Sequence, residues 1–205
     1  DANEDTLEQA LESVSRLRGK LPAEVRPAFD DVWDILDDAG GLLKPAASLS
    51  PRDDLFAAIV ERIDAIKPRV VVFCGRGSSG HAGVYLRYLF EARLGMLASA
   101  SAPSVVTAYE RPPDMRGVLF VVISQSGRSP DLVAATQVAR DVGALTLAIV
   151  NDEQSPAAAA AELILPIGAG REHAVAATKT VVTSMIAGAR LVAALARDAE
   201  LAAGL

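Results

Sequence analysis

From Arg69 onward the chain alternates short, unbroken apolar runs with longer segments of helical spacing, and this alternation restricts its fold more than any other feature. A run of branched residues with no polar face can exist only where both sides are covered, which is the situation of a parallel strand between helices. Such runs fall at 70–74, 97–101, 118–123, 145–150 and 163–167. Helices are expected between them, the clearest over His81–Leu94, closed by Gly95, and Pro130–Val142, closed by Gly143. The alanine run at 157–161 fits a short helix, and a last helix spans about Thr178 to Ala199. Right-handed crossovers place helices on both faces, so the expected class is α/β: a three-layer, doubly wound, five-stranded parallel sheet of flavodoxin-like order 2-1-3-4-5.

The first fifty residues follow a different rhythm. Leu7, Leu11, Val14 and Leu17 share one helical face, Phe29, Val32, Trp33 and Leu36 another, and Thr6 with Gln9 has capping-box spacing. Gly40 and Gly41 stop the second helix, and LLKPAASLS reads as a connector. A third helix begins with Ser50 as N-cap and Pro51 at its first position, carries Leu55, Ile59, Ile63 and Ile66 on one stripe, and ends near Pro68. The expected division is an N-terminal helical segment over 1–50 and an α/β domain over 51–205, a length sufficient to bury a substantial core. Asp30, Asp31, Asp34, Asp37 and Asp38 cluster around the second helix as a solvated face, and no metal site is expected there.

In a 2-1-3-4-5 sheet, strands 1 and 3 are neighbours whose chains leave in opposite directions, which opens a crevice above their carboxyl ends. The loops bordering it are GRGSSG (75–80) and SQSGRS (124–129), both rich in glycine and serine. Glycine lets backbone N–H groups turn toward a ligand, serine adds compact hydroxyls, and each loop feeds a helix start that favours negative charge. Ser129, Pro130 and Asp131 make a good helix start, with Ser129 as N-cap. Together the loops describe an anion site, most simply one for phosphate. GRGSSG also satisfies G-x-G-x-x-G, but the second strand ends in ASAS with no acid before Glu110 to hold a ribose, so a dinucleotide fold is the weaker rival. A P-loop lacks the required glycine spacing and Lys-Ser/Thr pair.

The net charge of −6, without clustered Lys and Arg, argues against nucleic acid as a partner. No apolar run is read as long enough to cross a membrane. With 51% apolar residues but only 4% aromatic, the core must be built mainly from Ala, Val, Leu and Ile. Cys74 is the only cysteine, so no intrachain disulfide can form and a reducing cytoplasm is the expected compartment. At a strand end it reads as a small buried residue.

Three segments, CGRGSSGHAGVYLRYLFE, VISQSGRSPDLVAATQVAR and REHAVAATKT, resemble the sugar isomerase, or SIS, domain over about Leu55 to Ala199. Within that family the chain looks closest to the isomerase half of glutamine-dependent glucosamine-6-phosphate synthase and to SIS-type glucosamine-6-phosphate deaminases. The resemblance implies phosphosugar binding in an aldose-ketose isomerase or an amino-sugar-phosphate isomerase or deaminase acting on hexose or hexosamine 6-phosphates. The alternative is a non-catalytic sugar-phosphate sensor. It implies that Ser124, Gln125, Ser126 and Ser129 hold the phosphate with Ser78 and Ser79, and that Val175 approaches the sugar. Glu172 becomes the candidate acid/base, with His81 and His173 behind it, while Lys179 matches the family lysine. No cofactor is implied, a homodimer is, and the principal acid/base residues of the resembling enzymes lie in a second such domain, so catalysis by one domain needs completion from elsewhere.

Overall fold

The computed structural model describes residues 53–170, 172 and 177–205. The two expected N-terminal helices and the Ser50-Pro51 helix start lie outside the described residues. The elements run α1 (Asp53–Ile66), β1 (Val70–Gly75), α2 (Gly77–Leu94), β2 (Leu97–Ala100), α3 (Ser104–Thr107), β3 (Val118–Ser124), α4 (Pro130–Asp141), β4 (Leu145–Val150), α5 (Pro156–Ala160), β5 (Leu163–Pro166), α6 (Thr178–Ala196) and α7 (Ala199–Ala203). All strand pairs are parallel, in the order β2-β1-β3-β4-β5. This is the expected doubly wound sheet.

Burial explains why the strand sequences lack alternation. Strand β4 is buried along its whole length and β3 from Leu119 onward, with successive side chains entering opposite cores. On one face Val71, Phe73, Leu119, Val121, Ile123, Leu147 and Ile149 meet α1, α2 and α6 through Ile59, Ile63, Leu86, Phe90, Leu191 and Val192. Phe73 and Phe90 meet edge to face, with ring centroids 5.5 Å apart. On the other face Cys74, Phe120, Val122, Ala148 and Val150 meet α4 and α5. Alanines at 135, 139, 157 and 158 let those helices sit close.

Helices α2 and α6 share the first face, and they touch closely. A Cβ at Gly188 would lie 2.5 Å from both Leu86 methyl groups, so the absence of a side chain at 188 sets their separation. The buried hydroxyls of Thr183 and Ser184 are satisfied within α6, donating to the carbonyls of Lys179 and Thr180 at 3.1 and 2.7 Å.

Several expectations need correction. Helix α2 begins at Gly77 rather than His81, because Arg76 alone turns the chain between strand and helix. Ile66 is exposed at the frayed end of α1, although Ile59 and Ile63 of the same stripe are buried. The last long helix stops at Ala196, where Arg197 adopts a left-handed backbone, and Asp198 caps the short α7 by accepting from the Leu201 amide at 2.9 Å. Helix α3 was not expected. The reading that no apolar run is of spanning length also fails for α6, whose 19 residues are long and apolar enough by composition, although half of that stretch is buried in the fold against its neighbours.

The α2–α6 contact gives a direct expectation. Gly188→Val should destabilise the protein by about 2 to 3 kcal/mol through overpacking against Leu86. In chemical denaturation the double variant with Leu86→Ala should lose less than the sum of the two single changes, and strict additivity would show that the two residues do not limit each other.

Candidate anion-binding crevice

The strand register places the two serine-rich segments side by side. Gly75, the last residue of β1, is level with Ile123, and β3 ends one residue later at Ser124, level with Val150 of β4. The chain leaves β1 through Arg76 and enters α2 at once, so Ser78 and Ser79 stand in the first helical turn rather than in an open loop. This crossing depends on Gly75. A Cβ there would lie 3.1 Å from the backbone carbon and oxygen of Ser79. The first amides of an α-helix have no carbonyl acceptor within it, and α2 starts directly where β1 ends, at the carboxyl edge of the sheet.

The second segment is a tight turn built by its own serines. The buried Ser124 Oγ accepts from the Gly127 amide at 3.0 Å, and Ser126 Oγ accepts from the Arg128 amide at 3.3 Å. Gly127 has φ +61°, and a Cβ on it would lie 2.1 Å from Ser155 Oγ, so both backbone angle and space require glycine. Its carbonyl accepts from the Ala157 amide at 2.9 Å, tying this turn to the start of α5. The amides of 127 and 128 are therefore occupied, while the serine hydroxyls keep their protons to donate. Ser129 is the N-cap residue of α4, but its hydroxyl makes no capping bond. Gln125, Ser126 and Ser129 are half-buried, as are Ser78 and Ser79.

A charged contact joins the two segments. Arg76 Nη1 donates to Asp131 Oδ2 at 2.9 Å, linking the entry of α2 to the first turn of α4. Arg128 instead pairs with Asp152 at 2.9 Å, on the loop after β4. Asn151 next to it organises the loop after β5, donating to the Gly170 carbonyl at 2.6 Å and accepting from the Ala169 amide at 2.9 Å. Sequence reasoning passed over Arg76, Asn151 and Asp152, and read Asp131 only as part of a helix start. The available signal was a lone arginine inside a glycine-serine run and an acid directly after Ser-Pro at a helix start.

Glu172 is placed at the start of α6, with its Oε2 accepting from the amide and the hydroxyl of Thr180, each at 3.0 Å. The N-cap residue of that helix is Ala177, which has no side chain able to cap, and Glu172 supplies the missing acceptor from upstream. Val175 and His173 lie outside the described residues. His81 is exposed in α2, and Lys179 is half-buried in the first turn of α6, where its carbonyl accepts from Thr183. Among the described residues no three His, Cys, Asp or Glu side chains converge as a metal site would require.

The carboxyl edge of β1 and β3 thus carries serine side chains, two helix starts and two arginines each paired with an aspartate. Beneath it, burial and then the nearby negative charge of Asp131 push the Cys74 thiol up to about 12.

A family profile described as the SIS domain matches residues 66–194. Relatives include an isomerizing glutamine–fructose-6-phosphate aminotransferase of Symbiobacterium thermophilum, 34% identical over 151 residues, covering 74% of this chain and 24% of that protein. The corresponding protein of Sulfurisphaera tokodaii is 31% identical over 185 residues, covering 90% of this chain and 30% of its own length. The chain therefore spans less than a third of either relative. Among solved structures, a candidate phosphosugar isomerase of Silicibacter pomeroyi superposes with a TM-score of 0.71 at 40% identity, over 73% of this chain and 46% of that one. The Vibrio vulnificus NanR protein complexed with ManNAc-6P gives 0.66 at 23% identity, over 89% of this chain and 72% of that one, a likeness of fold.

Cys74 supplies a check on the packing beneath the crevice. With its pKa at about 12 rather than near 9, its thiolate fraction at pH 8, and hence its rate of alkylation by iodoacetamide, should be about a thousandfold below that of an ordinary thiol. Because the fold favours the neutral thiol, this group's contribution to stability is complete below pH 9 and is lost as pH rises toward 12. Alkylation of the native protein at the rate of a free thiol would show that the site is open.

Proposed function

The chain belongs to the SIS domain family, and from that premise we propose that the crevice between 75–80 and 124–129 binds the phosphate of a hexose or hexosamine 6-phosphate. The observation that carries this reading is the meeting of two glycine-serine segments at the ends of β1 and β3, joined by the Arg76–Asp131 bond. In this reading the hydroxyls of Ser78, Ser79, Ser126 and Ser129 and the amide of Gln125 donate to phosphate oxygens. Ser124 acts by holding the turn through Gly127. The first-turn amides of α2 and α4 add the field of two helix starts. Val175 is assigned to the sugar on the strength of the family resemblance.

The reaction that suits such a ligand moves a proton between C1 and C2 of an opened sugar, with release or transfer of ammonia where the sugar carries nitrogen. The base in this reading is Glu172, whose bonds to Thr180 both fall on Oε2, or a group supplied by another domain or subunit. The isomerizing aminotransferases among the relatives are a precedent in kind. The capping bonds of Glu172 favour a second reading, a domain that senses a phosphosugar without converting it.

We further assign the binding domain to 51–205 and expect it to work as a cytoplasmic homodimer. The exposed Val84 and Tyr88 of α2 and Leu97 of the edge strand offer apolar area for pairing. Neither a nucleic acid nor a membrane is included as a partner in this proposal.

Incubation with fructose 6-phosphate plus an ammonia source, and separately with glucosamine 6-phosphate, while ammonia and sugar interconversion are followed, separates the readings. Turnover supports the enzyme, saturable binding without turnover supports the sensor, and absence of binding rejects both. Ser126→Ala should weaken phosphosugar binding by about 1 to 3 kcal/mol, the range for losing a hydrogen bond to a charged group. An unchanged dissociation constant in titration calorimetry would remove Ser126 from the phosphate site.

A further inference from the structure

Arg76 is an unexpected residue at the meeting point of two anion-favouring segments. It is the single residue between β1 and α2, and its guanidinium crosses to the first turn of α4. That bond uses one of its five N–H donors, and the side chain remains 65% exposed. Arg128, the other cation of these segments, is turned toward Asp152. Asp131 is unlike Arg76 in its surroundings: its Oδ1 is buried and has no hydrogen-bond partner among the described residues. A carboxylate desolvated in this way is costly, and Arg76 compensates it. The same carboxylate opposes any second negative charge brought close to it.

From this arrangement we infer that Arg76 is an anion-binding residue of the crevice, shared between Asp131 and the ligand phosphate, with Asp131 as the internal counter-ion that the ligand must compete against. The inference rests on the phosphosugar reading above and adds a charged contact to a site otherwise composed of hydroxyls and amides. A dianionic phosphate has the charge to draw the free edge of the guanidinium, whereas a neutral sugar has nothing to set against Asp131. The pair thereby favours phosphorylated over unphosphorylated sugars.

Opposite signs in two variants test this. Titration calorimetry of the full chain with fructose 6-phosphate, and separately with inorganic phosphate, should show Arg76→Gln raising the dissociation constant about tenfold, as for loss of a charge-assisted contact. Asp131→Asn should lower it severalfold, because the competing negative charge is gone while the side-chain shape is kept. Arg76→Lys, which keeps the charge, should fall between wild type and Arg76→Gln, and it serves as the reporter should Arg76→Gln fail to fold. If Arg76 were only a structural staple between the segments, removal of either partner would weaken binding alike, and that result overturns the proposal. An unchanged constant in Arg76→Gln does the same. Failure of the wild-type protein to bind either ligand rejects the phosphosugar reading and this inference together, whereas wild-type binding with same-sign variants rejects the role of Arg76 alone.

Discussion

Everything at the carboxyl edge of this sheet depends on how closely β1 passes its own following helix. Gly75 brings the strand end to within van der Waals contact of the Ser79 backbone, and only one residue separates strand from helix. This tight crossing sets the height of α2, so that its first-turn amides and both serines stand beside the end of β3. It also fixes where α2 lies on the sheet. Gly83 then rests on Phe73, with a hypothetical Cβ 3.4 Å from that side chain, and Leu86 meets Gly188 of α6. A larger residue at 75 would lift the helix, and both the crevice and the α2–α6 seam would change together.

The electrostatic character of the crevice is one of internal balance. Arg76 and Arg128 lie within the serine-rich segments, yet each is met by an aspartate from a neighbouring element. The Arg128–Asp152 pair, exposed on both sides, contributes little to stability, since water and salt screen it. The value of both pairs here is positional. They hold cationic groups at the rim with their charge compensated.

Much of this was legible in the sequence because strand burial is written in composition. The unbroken runs 118–123 and 145–150 could only be central strands, and the sheet order followed from connection rules. The two glycine-serine segments were legible as candidates because the topology says where crevices form. What escaped had physical reasons. GSSG reads as a loop because glycine and serine are weak helix formers, yet packing against β1 carries them into α2. Ser124 reads as ligand-facing, but position alone could not tell that its oxygen closes the turn on Gly127. Glu172 stood out as an acid in a polar loop, and its bonds to Thr180 depend on Ala177 being unable to cap, a relation between residues five apart with no periodic signature. Arg76 and Asp131 are 55 positions apart, so only the fold could pair them.

The parallel strands have one more effect. Because α2, α4 and α6 all start on the edge where their preceding strands end, their N-terminal partial charges are gathered along one rim and their C-terminal ones along the other. A chain with a net charge of −6 is, seen from afar, repulsive to any acidic metabolite. At that rim the positive ends of the helices stand beside the aspartates that pair with Arg76 and Arg128. Backbone alignment thus gives the two edges of the sheet opposite partial charges, a polarity that the net charge of the chain does not express.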